Sequence, residues 1–243
     1  MVLSPVFGEM MGTFVLILLG DGVVAGVLLK QSKGENAGWL AITAGWAFAV
    51  FAGVVTAIAS GSPDAHLNPA ITLASAISSG NFSKVLPYWF AQLVGAFLGA
   101  VVVWVHYGPH WALTTDPDLK LGTFCTMPAV RRPLANLTSE IIATFVLVLV
   151  AAAIFSSRVA VGGPAPGVGP ALVASLVWGI GLSLGGTTGY AINPARDFGP
   201  RLAHAVLPVA GKRDSDWSYA PIPIIGPLIG GALAGLFVTL ARF

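Results

Sequence analysis

Two copies of the triplet Asn-Pro-Ala, one in each half of the chain, constrain the fold more than any other feature of this sequence. Asn is a favoured N-cap and Pro a favoured first helical residue, so each triplet predicts a helix start. The apolar stretches that begin there, 69–79 and 194–206, would each cover about half of a ~30 Å hydrocarbon core. Helices that begin at membrane depth are tolerated where they line protein or a water-filled cavity, so the triplets predict two half-helices lining a channel. The six residues are Asn68, Pro69, Ala70, Asn193, Pro194 and Ala195.

The composition is that of an integral membrane protein. Hydrophobic residues make up 56% of the chain and charged residues 9%, whereas a soluble domain has about 25% charged residues. Glu9 lies within the first apolar stretch and no basic segment precedes it, which predicts a retained span rather than a cleaved signal peptide. The net charge of +2 gives no basis for nucleic-acid binding. Six stretches are long and apolar enough to cross a bilayer, approximately 5–29, 38–60, 85–107, 134–156, 168–188 and 219–241.

The two halves of the chain are related to each other. Residues 8–16 match residues 139–147 along their length, and each half carries one triplet and three spans. Three is an odd number, so the second copy must enter the membrane in the opposite direction, as in other inverted repeats. We predict one domain over residues 1–243, with repeat 1 over about 1–107, a linking loop over 108–133 and repeat 2 over about 134–243.

The motifs of both halves resemble the aquaporin family, and within it the aquaglyceroporin or glycerol-facilitator branch. The resemblance rests on Glu9 and Glu140, on residues 65–70 (Ala-His-Leu-Asn-Pro-Ala) and on residues 189–201 (Gly-Tyr-Ala-Ile-Asn-Pro-Ala-Arg-Asp-Phe-Gly-Pro-Arg). Asp197, which follows the second triplet and its Arg, is typical of glycerol-conducting members.

This resemblance implies an all-α membrane protein with six transmembrane helices and two half-helices that meet at the bilayer midplane in an aquaporin-like right-handed bundle. It also implies a homotetramer in the plasma membrane with both termini in the cytoplasm. That orientation places more Lys and Arg residues outside than inside, contrary to the positive-inside rule.

Four positions form the narrow selectivity filter in this family, and the resemblance maps them to Trp46, Gly181, Tyr190 and Arg196. Phe48 competes with Trp46, because the spacing to the first triplet differs by two residues from that of relatives. Gly181 stands where water-selective members carry a bulky His, which predicts a wider filter, although it also forms a small-xxx-small packing pair with Gly185.

Two polar groups of the predicted filter, the Arg196 guanidinium and the Tyr190 hydroxyl, bear on which solute the channel would prefer. An isolated Arg at membrane depth is costly, so we expect a functional role for Arg196, whose donors can bind two adjacent hydroxyls. Tyr190 departs from the Phe usual in glycerol facilitators, and its hydroxyl would offer a hydrogen bond if it reached the lumen. Asp21 is less usual for the family and is expected at the outer vestibule, while Asp64 stands where relatives usually have Gly.

The remaining pore wall is expected to be two-faced. Asn68 and Asn193 would hold a passing hydroxyl by its oxygen, unless they are ordinary N-caps. Backbone carbonyls would form a ladder of acceptors opposite an apolar wall, an arrangement that suits a linear polyol. The carbonyls are those of Ala65, His66, Leu67, Gly189, Tyr190 and Ala191. By resemblance, Glu9 and Glu140 hold these loops in orientation, with proton relay as the alternative, and Asp197 gives structural support.

These features predict a passive channel for glycerol and other small neutral solutes with water, which excludes ions and protons. The alternative solutes are undissociated lactic acid, dihydroxyacetone and hydrogen peroxide. A secondary transporter shares the inverted repeat and broken helices, with Glu9, Asp21 and Glu140 as its possible coupling groups. An enzyme is not expected, because one Cys and four scattered His form no catalytic constellation. No cofactor or metal is expected either, since Gly108 and Pro109 separate the pair His106 and His110.

Overall fold

Ten helices make up the chain in a computed structural model that describes residues 3–165 and 167–242, and these residues include no strand. The helices are α1 (Pro5–Leu28), α2 (Gly38–Ala59), α3 (Pro69–Ser79), α4 (Val85–His106), α5 (Gly108–Leu113), α6 (Pro117–Phe124), α7 (Pro133–Phe155), α8 (Val168–Ser183), α9 (Pro194–Val206) and α10 (Pro221–Ala241). Helices α1 to α4 and α7 to α10 follow the predicted spans and half-helices in order. The predicted all-α membrane fold is confirmed.

Five of the helices in the described residues, α1, α2, α4, α7 and α10, are long and apolar enough to cross a bilayer. The remaining predicted span, 168–188, is shorter than expected, because α8 has 16 residues and ends at Ser183. Its length of ~24 Å is somewhat below a typical hydrocarbon core. Gly185 and Gly186 follow the end of the helix, and two consecutive glycines disfavour its continuation. Residues 184–188 form a turn.

The half-helices α3 and α9 begin where the triplets predict. The Asn68 side chain accepts a hydrogen bond from the Ala70 amide at 2.9 Å, and Asn193 accepts from the amides of Ala195 and Arg196 at 3.0 and 3.2 Å. Both Asn residues are extended N-caps followed by Pro at the first helical position. Placed end to end, helices of 11 and 13 residues span about 36 Å, enough for one crossing.

Small residues bring each half-helix against a long helix of the other repeat. A Cβ at Gly231 of α10 would lie 2.7 Å from the Ala70 carbonyl oxygen of α3. A Cβ at Gly199 of α9 would lie 2.6 Å from the Ala96 Cβ of α4. Since real Cβ atoms do not approach so closely, only glycine permits these two contacts. The half-helices are thus exchanged between the repeats, as close packing through small residues allows.

The linking segment 108–133, predicted as a loop, contains the short helices α5 and α6. Asp116 caps α6 by accepting from the Asp118 amide at 2.8 Å, and Pro117 occupies the first helical position. Phe124 of α6 is buried and stacks on Trp111 of α5, with ring centroids 5.5 Å apart. The segment therefore packs on the bundle and brings the residues that follow α6 close to α9.

Candidate pore site

The two triplets are joined to each other at the centre of the bundle. The Asn68 Nδ2 donates to the Ile192 carbonyl oxygen at 2.8 Å, and the Asn193 Nδ2 donates to the Leu67 carbonyl oxygen at 2.8 Å. Each amide nitrogen carries two hydrogens, so one remains on each Asn after this bond. Both side chains line the main cavity. They are therefore more than N-caps, because each also presents a donor to the cavity.

The loops before both half-helices share an unusual backbone. Positive φ angles occur at Ala65 (43°) and Leu67 (52°) in the first loop, and at Tyr190 (38°) and Ile192 (43°) in the second. Residues other than glycine rarely adopt this region, and such strain persists where the surroundings impose it. In both loops strained and unstrained residues alternate, which gives the two loops the same shape.

A buried carboxylate holds each strained loop. Glu9 of α1 accepts from the amides of His66 and Leu67 at 2.8 and 2.7 Å. It also accepts from Ser62 Oγ at 2.8 Å and Gln92 Nε2 at 2.7 Å. All four bonds are donated to the carboxylate, which leaves it little freedom to carry a proton along a relay.

Glu140 of α7 holds the second loop in the same way. It accepts from the amides of Ala191 and Ile192 at 3.0 and 2.9 Å and from Thr188 Oγ1 at 2.6 Å. Sequence reasoning found both glutamates but missed their other partners, Ser62, Gln92 and Thr188. Those residues carry no signal of their own along the chain, since they approach the carboxylates only in the fold.

The glutamates also orient the carbonyls of the loops. The N–H and C=O of a trans peptide point in opposite directions, so each amide that faces a glutamate turns the preceding carbonyl away from it. The carbonyls turned in this way are those of Ala65, His66, Tyr190 and Ala191, and all four residues line the cavity.

Two of the predicted ladder residues are placed differently. The Leu67 carbonyl is occupied by Asn193, and Gly189 is not among the residues that line the cavity. Ile192, which sequence reasoning missed, is the counterpart of Leu67 in the second loop, and its carbonyl accepts from Asn68. The match between the two halves could have identified it, because Ile192 directly precedes the second triplet as Leu67 precedes the first.

We expect Glu9→Gln to loosen the first loop and lower glycerol flux. Glutamine offers one acceptor oxygen in place of two, so at least one buried donor loses its partner, at a cost of about 1–3 kcal/mol. Melting in detergent and stopped-flow glycerol uptake measure the two effects. Glu35→Gln is the matched control, since Glu35 lies in a surface loop beside Lys30. Equal melting temperatures and fluxes in the two variants would contradict the role given to Glu9.

Trp46 and Arg196 face each other at one end of the cavity. The Arg196 guanidinium carbon lies 4.2 Å from the centroid of the Trp46 ring, within cation–π distance. Both side chains line the cavity. Trp46 is 4% exposed, whereas the competing Phe48 is 68% exposed on the outer face of α2. The geometry therefore favours Trp46 over Phe48 as the aromatic residue beside Arg196.

Gly181 leaves room for the ring of Tyr190. A Cβ at Gly181 would lie 2.9 Å from Tyr190 Cζ and 3.0 Å from both its hydroxyl oxygen and Thr43 Cγ2. Trp39 packs edge-on against Tyr190 at 5.7 Å and donates from Nε1 to the Gly181 carbonyl oxygen at 3.1 Å. The absence of a side chain at Gly181 therefore does not widen the cavity there, because the Tyr190 ring fills that space.

The Tyr190 hydroxyl is buried, although the residue lines the cavity. Among the described residues it has no hydrogen-bond partner, and it lies toward Gly181 of α8. The sequence-based expectation that this hydroxyl offers a hydrogen bond in the lumen is therefore not supported by its position. The ring rather than the hydroxyl is what Tyr190 presents to a solute.

We expect Tyr190→Phe to leave the ratio of glycerol to lactic acid flux within about twofold of wild type. The substitution removes a buried hydroxyl that has no partner in the described part of the chain, so the melting temperature should be unchanged or raised. Tyr88→Phe is the matched control, because the Tyr88 hydroxyl donates to Asp64 at 2.7 Å and its loss should lower the melting temperature. A clear change in the flux ratio of Tyr190→Phe would show that its hydroxyl does meet the solute.

Asp197 forms a fully buried ion pair with Arg201 one turn along α9. It accepts from Arg201 Nε and Nη2 at 2.7 and 3.0 Å, and from the amide and hydroxyl of Thr126 at 2.9 and 2.6 Å. Arg201 Nη1 donates further to the Ser215 and Asp216 carbonyl oxygens at 2.8 and 3.1 Å. This network joins α9 to the end of the linking segment and to the loop before α10. Sequence reasoning proposed Asp197 as support but missed its partner, which the i, i+4 spacing could have indicated.

Two further acidic residues lie near the pore. Asp21 of α1 is fully buried 3.9 Å from Arg196 Nη1 and does not line the cavity, so the expectation that it lies in the outer vestibule is wrong. Asp64 lines the opposite end, where it accepts from Lys84 Nζ at 2.6 Å and the Tyr88 hydroxyl at 2.7 Å. Partial burial opposes ionisation of Asp64, but these two bonds lower its pKa below the usual value. Asp64 therefore forms an ion pair at one mouth of the cavity.

One cavity of about 530 Å³ connects these groups, from Tyr190 and Arg196 past both Asn side chains to Asp64. The lining combines the polar groups of the two loops and the two Asn side chains with apolar side chains, which include those of Leu16, Val50, Val54, Leu147, Val148 and Val177. That the polar and apolar groups lie on opposite walls stays a prediction from the sequence.

The fold and this site together define an inverted-repeat integral membrane protein whose half-helices meet beside a continuous cavity. The model of the major intrinsic protein family matches residues 2–238. The chain belongs to the major intrinsic protein family.

The relatives and a solved structure agree with this assignment. The chain is 56% identical over 232 residues to a probable glycerol uptake facilitator of Thermotoga maritima, covering 95% of this chain and 96% of the relative. It is 54% identical to glycerol uptake facilitator 3 of Lactiplantibacillus plantarum, covering 96% and 95%. It is 38% identical to a D/L-lactic acid transporter of the same organism, covering 95% and 94%. The crystal structure of the Plasmodium falciparum aquaglyceroporin superposes with a TM-score of 0.83 at 27% identity, covering 96% and 94% of the two chains.

Proposed function

We propose that this chain is a passive membrane channel for glycerol and other small neutral solutes, with water. The observation that supports this proposal most is the cavity, lined by polar and apolar groups together, that contains Trp46 and Arg196 and the crossed amides of Asn68 and Asn193. A linear polyol has hydroxyls along one side and CH groups along the other. Its hydroxyls would meet the carbonyls, the amides and Arg196, while its CH groups would meet the apolar wall.

In this proposal each group of the site has one task. Arg196 and Trp46 form the filter, in which the guanidinium binds hydroxyl oxygens and the ring contacts the carbon chain. Gly181 and Tyr190 shape the adjoining corner. The Asn amides hold the solute midway, and the positive ends of α3 and α9 oppose the passage of cations and protons.

Glycerol is preferred over lactic acid as the main solute. Five relatives named as glycerol uptake facilitators are 45–56% identical to this chain. Two others with that name are 42% and 37% identical, and the relative named as a D/L-lactic acid transporter is 38% identical. Undissociated lactic acid is the second candidate, because it is a neutral molecule of similar size with oxygen atoms along its length. We further propose a homotetramer in the plasma membrane with both termini in the cytoplasm, and no catalytic step.

Reconstitution into proteoliposomes tests the proposal. Stopped-flow light scattering would be recorded with glycerol, water and lactic acid gradients separately, and ionic current in planar bilayers. We expect glycerol flux well above that of protein-free vesicles, no effect of ion gradients on it, and no measurable Na⁺ or proton current. Glycerol flux equal to the protein-free rate, or flux that follows an ion gradient, would overturn it.

A further inference from the structure

Trp39, the second residue of α2, lies beside the filter but outside the cavity. Tyr190 lines the cavity, whereas Trp39 does not. The two rings pack edge to face, with centroids 5.7 Å apart and planes at 84°. Trp39 therefore contacts Tyr190 from a side of the ring that the solute does not reach.

Packing alone holds the Tyr190 ring in place. Its hydroxyl has no hydrogen-bond partner among the described residues, so no polar bond fixes the orientation of the ring. An added Cβ would lie 2.9 Å from Tyr190 Cζ at Gly181 and 2.5 Å from Tyr190 Cδ1 at Gly185. The two glycines thus leave room for the ring but offer no side chain against it. Trp39 is a large side chain at the edge of this space, since a Cβ at Gly185 would also lie 2.9 Å from Trp39 Cζ2.

A hydrogen bond holds Trp39 itself. Its Nε1 donates to the Gly181 carbonyl oxygen at 3.1 Å. Gly181 lies in the last turn of α8, where carbonyls have no donor within the helix. The Leu184 amide donates to the Ile180 carbonyl at 2.8 Å, and Trp39 supplies the donor for the next carbonyl along the chain. One indole therefore connects α2, the end of α8 and the Tyr190 ring.

The position of the Tyr190 ring bears on the width of the filter. Tyr190 lines the cavity together with Trp46 and Arg196, and the Arg196 guanidinium is held over the Trp46 ring at 4.2 Å. Among these three groups, Tyr190 is the one whose far side rests on Trp39. A Tyr190 ring that moved toward the place of Trp39 would leave the lumen and widen the filter.

We propose that Trp39 is a positioning residue that sets the size limit of this channel, because it holds the Tyr190 ring at the width that admits glycerol and retards bulkier polyols. Trp39 acts through Tyr190 and does not bind the solute. The inference deepens the proposed channel function and rests on it.

Stopped-flow light scattering on proteoliposomes, with glycerol and with the four-carbon polyol erythritol, tests the proposal. Trp39→Leu should raise the erythritol-to-glycerol flux ratio by at least about threefold, because the aromatic contact and the hydrogen bond that hold this corner are both lost. Trp39→Phe keeps a smaller ring and should give a ratio between those of wild type and Trp39→Leu. A merely structural defect would lower both fluxes in proportion and leave their ratio unchanged.

The same substitution in a Tyr190→Ala background shows whether the effect passes through Tyr190. With no ring left to hold, Trp39→Leu should keep the flux ratio within about twofold of that of Tyr190→Ala alone, since residues in contact have non-additive effects. A rise as large as the one that Trp39→Leu produces in the wild-type background would contradict a role through Tyr190.

Trp178→Leu is the matched control. Trp178 of α8 is 38% exposed, against 39% for Trp39, and does not line the cavity. Its flux ratio should therefore equal that of wild type. Trp residues also anchor helices at the membrane interface, and an anchoring role alone predicts the same result for both positions.

An unchanged ratio in Trp39→Leu and Trp39→Phe, or equal changes in Trp39→Leu and Trp178→Leu, would overturn the inference. Gel filtration in detergent checks assembly, and Trp39→Phe decides the test if Trp39→Leu does not assemble. Wild-type glycerol flux in the same vesicles separates the two proposals. If it is present while the ratio does not change, only the role of Trp39 fails. If it is absent, the proposed channel function itself fails.

Discussion

Replacing Gly181 by His should reduce glycerol flux by at least about tenfold and water flux much less. A Cβ at this position would lie 2.9–3.0 Å from Tyr190 and Thr43, so any side chain must displace the Tyr190 ring. The ring and the imidazole would then compete for the corner beside Arg196, and the filter would narrow. Glycerol is wider than water and loses more from the same reduction in width. Parallel stopped-flow measurements with a glycerol gradient and with an impermeant osmolyte give the two rates.

Gly186→His is the matched control for this prediction. Gly186 lies in the turn after α8, is exposed, and has no atom within 4 Å of an added Cβ. It makes the same chemical change five positions along the chain without touching Tyr190. A Gly181→His channel whose glycerol and water rates fall equally, or match those of the control, would show that Gly181 serves helix packing alone.

The second large effect is expected from Arg201→Met, which should destabilise the protein by about 3–5 kcal/mol. The substitution replaces a buried cation with an apolar side chain of similar length. It therefore leaves the Asp197 carboxylate without its ion-pair partner. It also leaves the Ser215 and Asp216 carbonyls without the donor that joins them to α9. Unfolding in detergent, followed by tryptophan fluorescence, measures the change.

Two comparisons sharpen this result. Arg213→Met removes a surface cation that pairs with Asp118 and Asp214, and exposed pairs contribute about 0–1 kcal/mol. The double variant Arg201→Met with Asp197→Asn removes both buried charges and should recover part of the loss, because no uncompensated charge remains. Additive losses in the double variant would mean that the two residues do not form the pair described here.

The sequence predicted the helices well because their signals are local. The length of each apolar stretch was enough to predict the spans. The Asn-Pro pairs predicted the first residues of α3 and α9 correctly, because an Asn N-cap followed by Pro is a local preference. The end of α8 was missed because hydropathy continues through Leu184 and beyond the helix, where Gly185 and Gly186 break it. The helices within 108–133 were missed because they are short, with six and eight residues.

The sequence predicted those site residues that belong to a local motif, and it did not predict placements that depend on contacts between distant segments. Asn68, Asn193 and Arg196 lie within motifs, and the resemblance supplied their expected roles. The placement of Asp21 and the Tyr190 hydroxyl depends on which face of α1 meets α9 and on how Trp39 orients a ring. Such side-chain directions come from contacts between distant segments, which one sequence without its structure does not contain.

The crossed bonds between Asn68 and Ile192 and between Asn193 and Leu67 bear on how the molecule can move. Alternating access works by rocking one repeat against the other around a central site. Here the central site lies at the interface between the two repeats, and each repeat donates one hydrogen bond to the other across it. Rocking would break both bonds and would also pull α3 from α10 and α9 from α4, where Gly231 and Gly199 allow backbone contact. These contacts favour a channel of fixed shape, because the rocking motion that would couple solute movement to an ion gradient would break them.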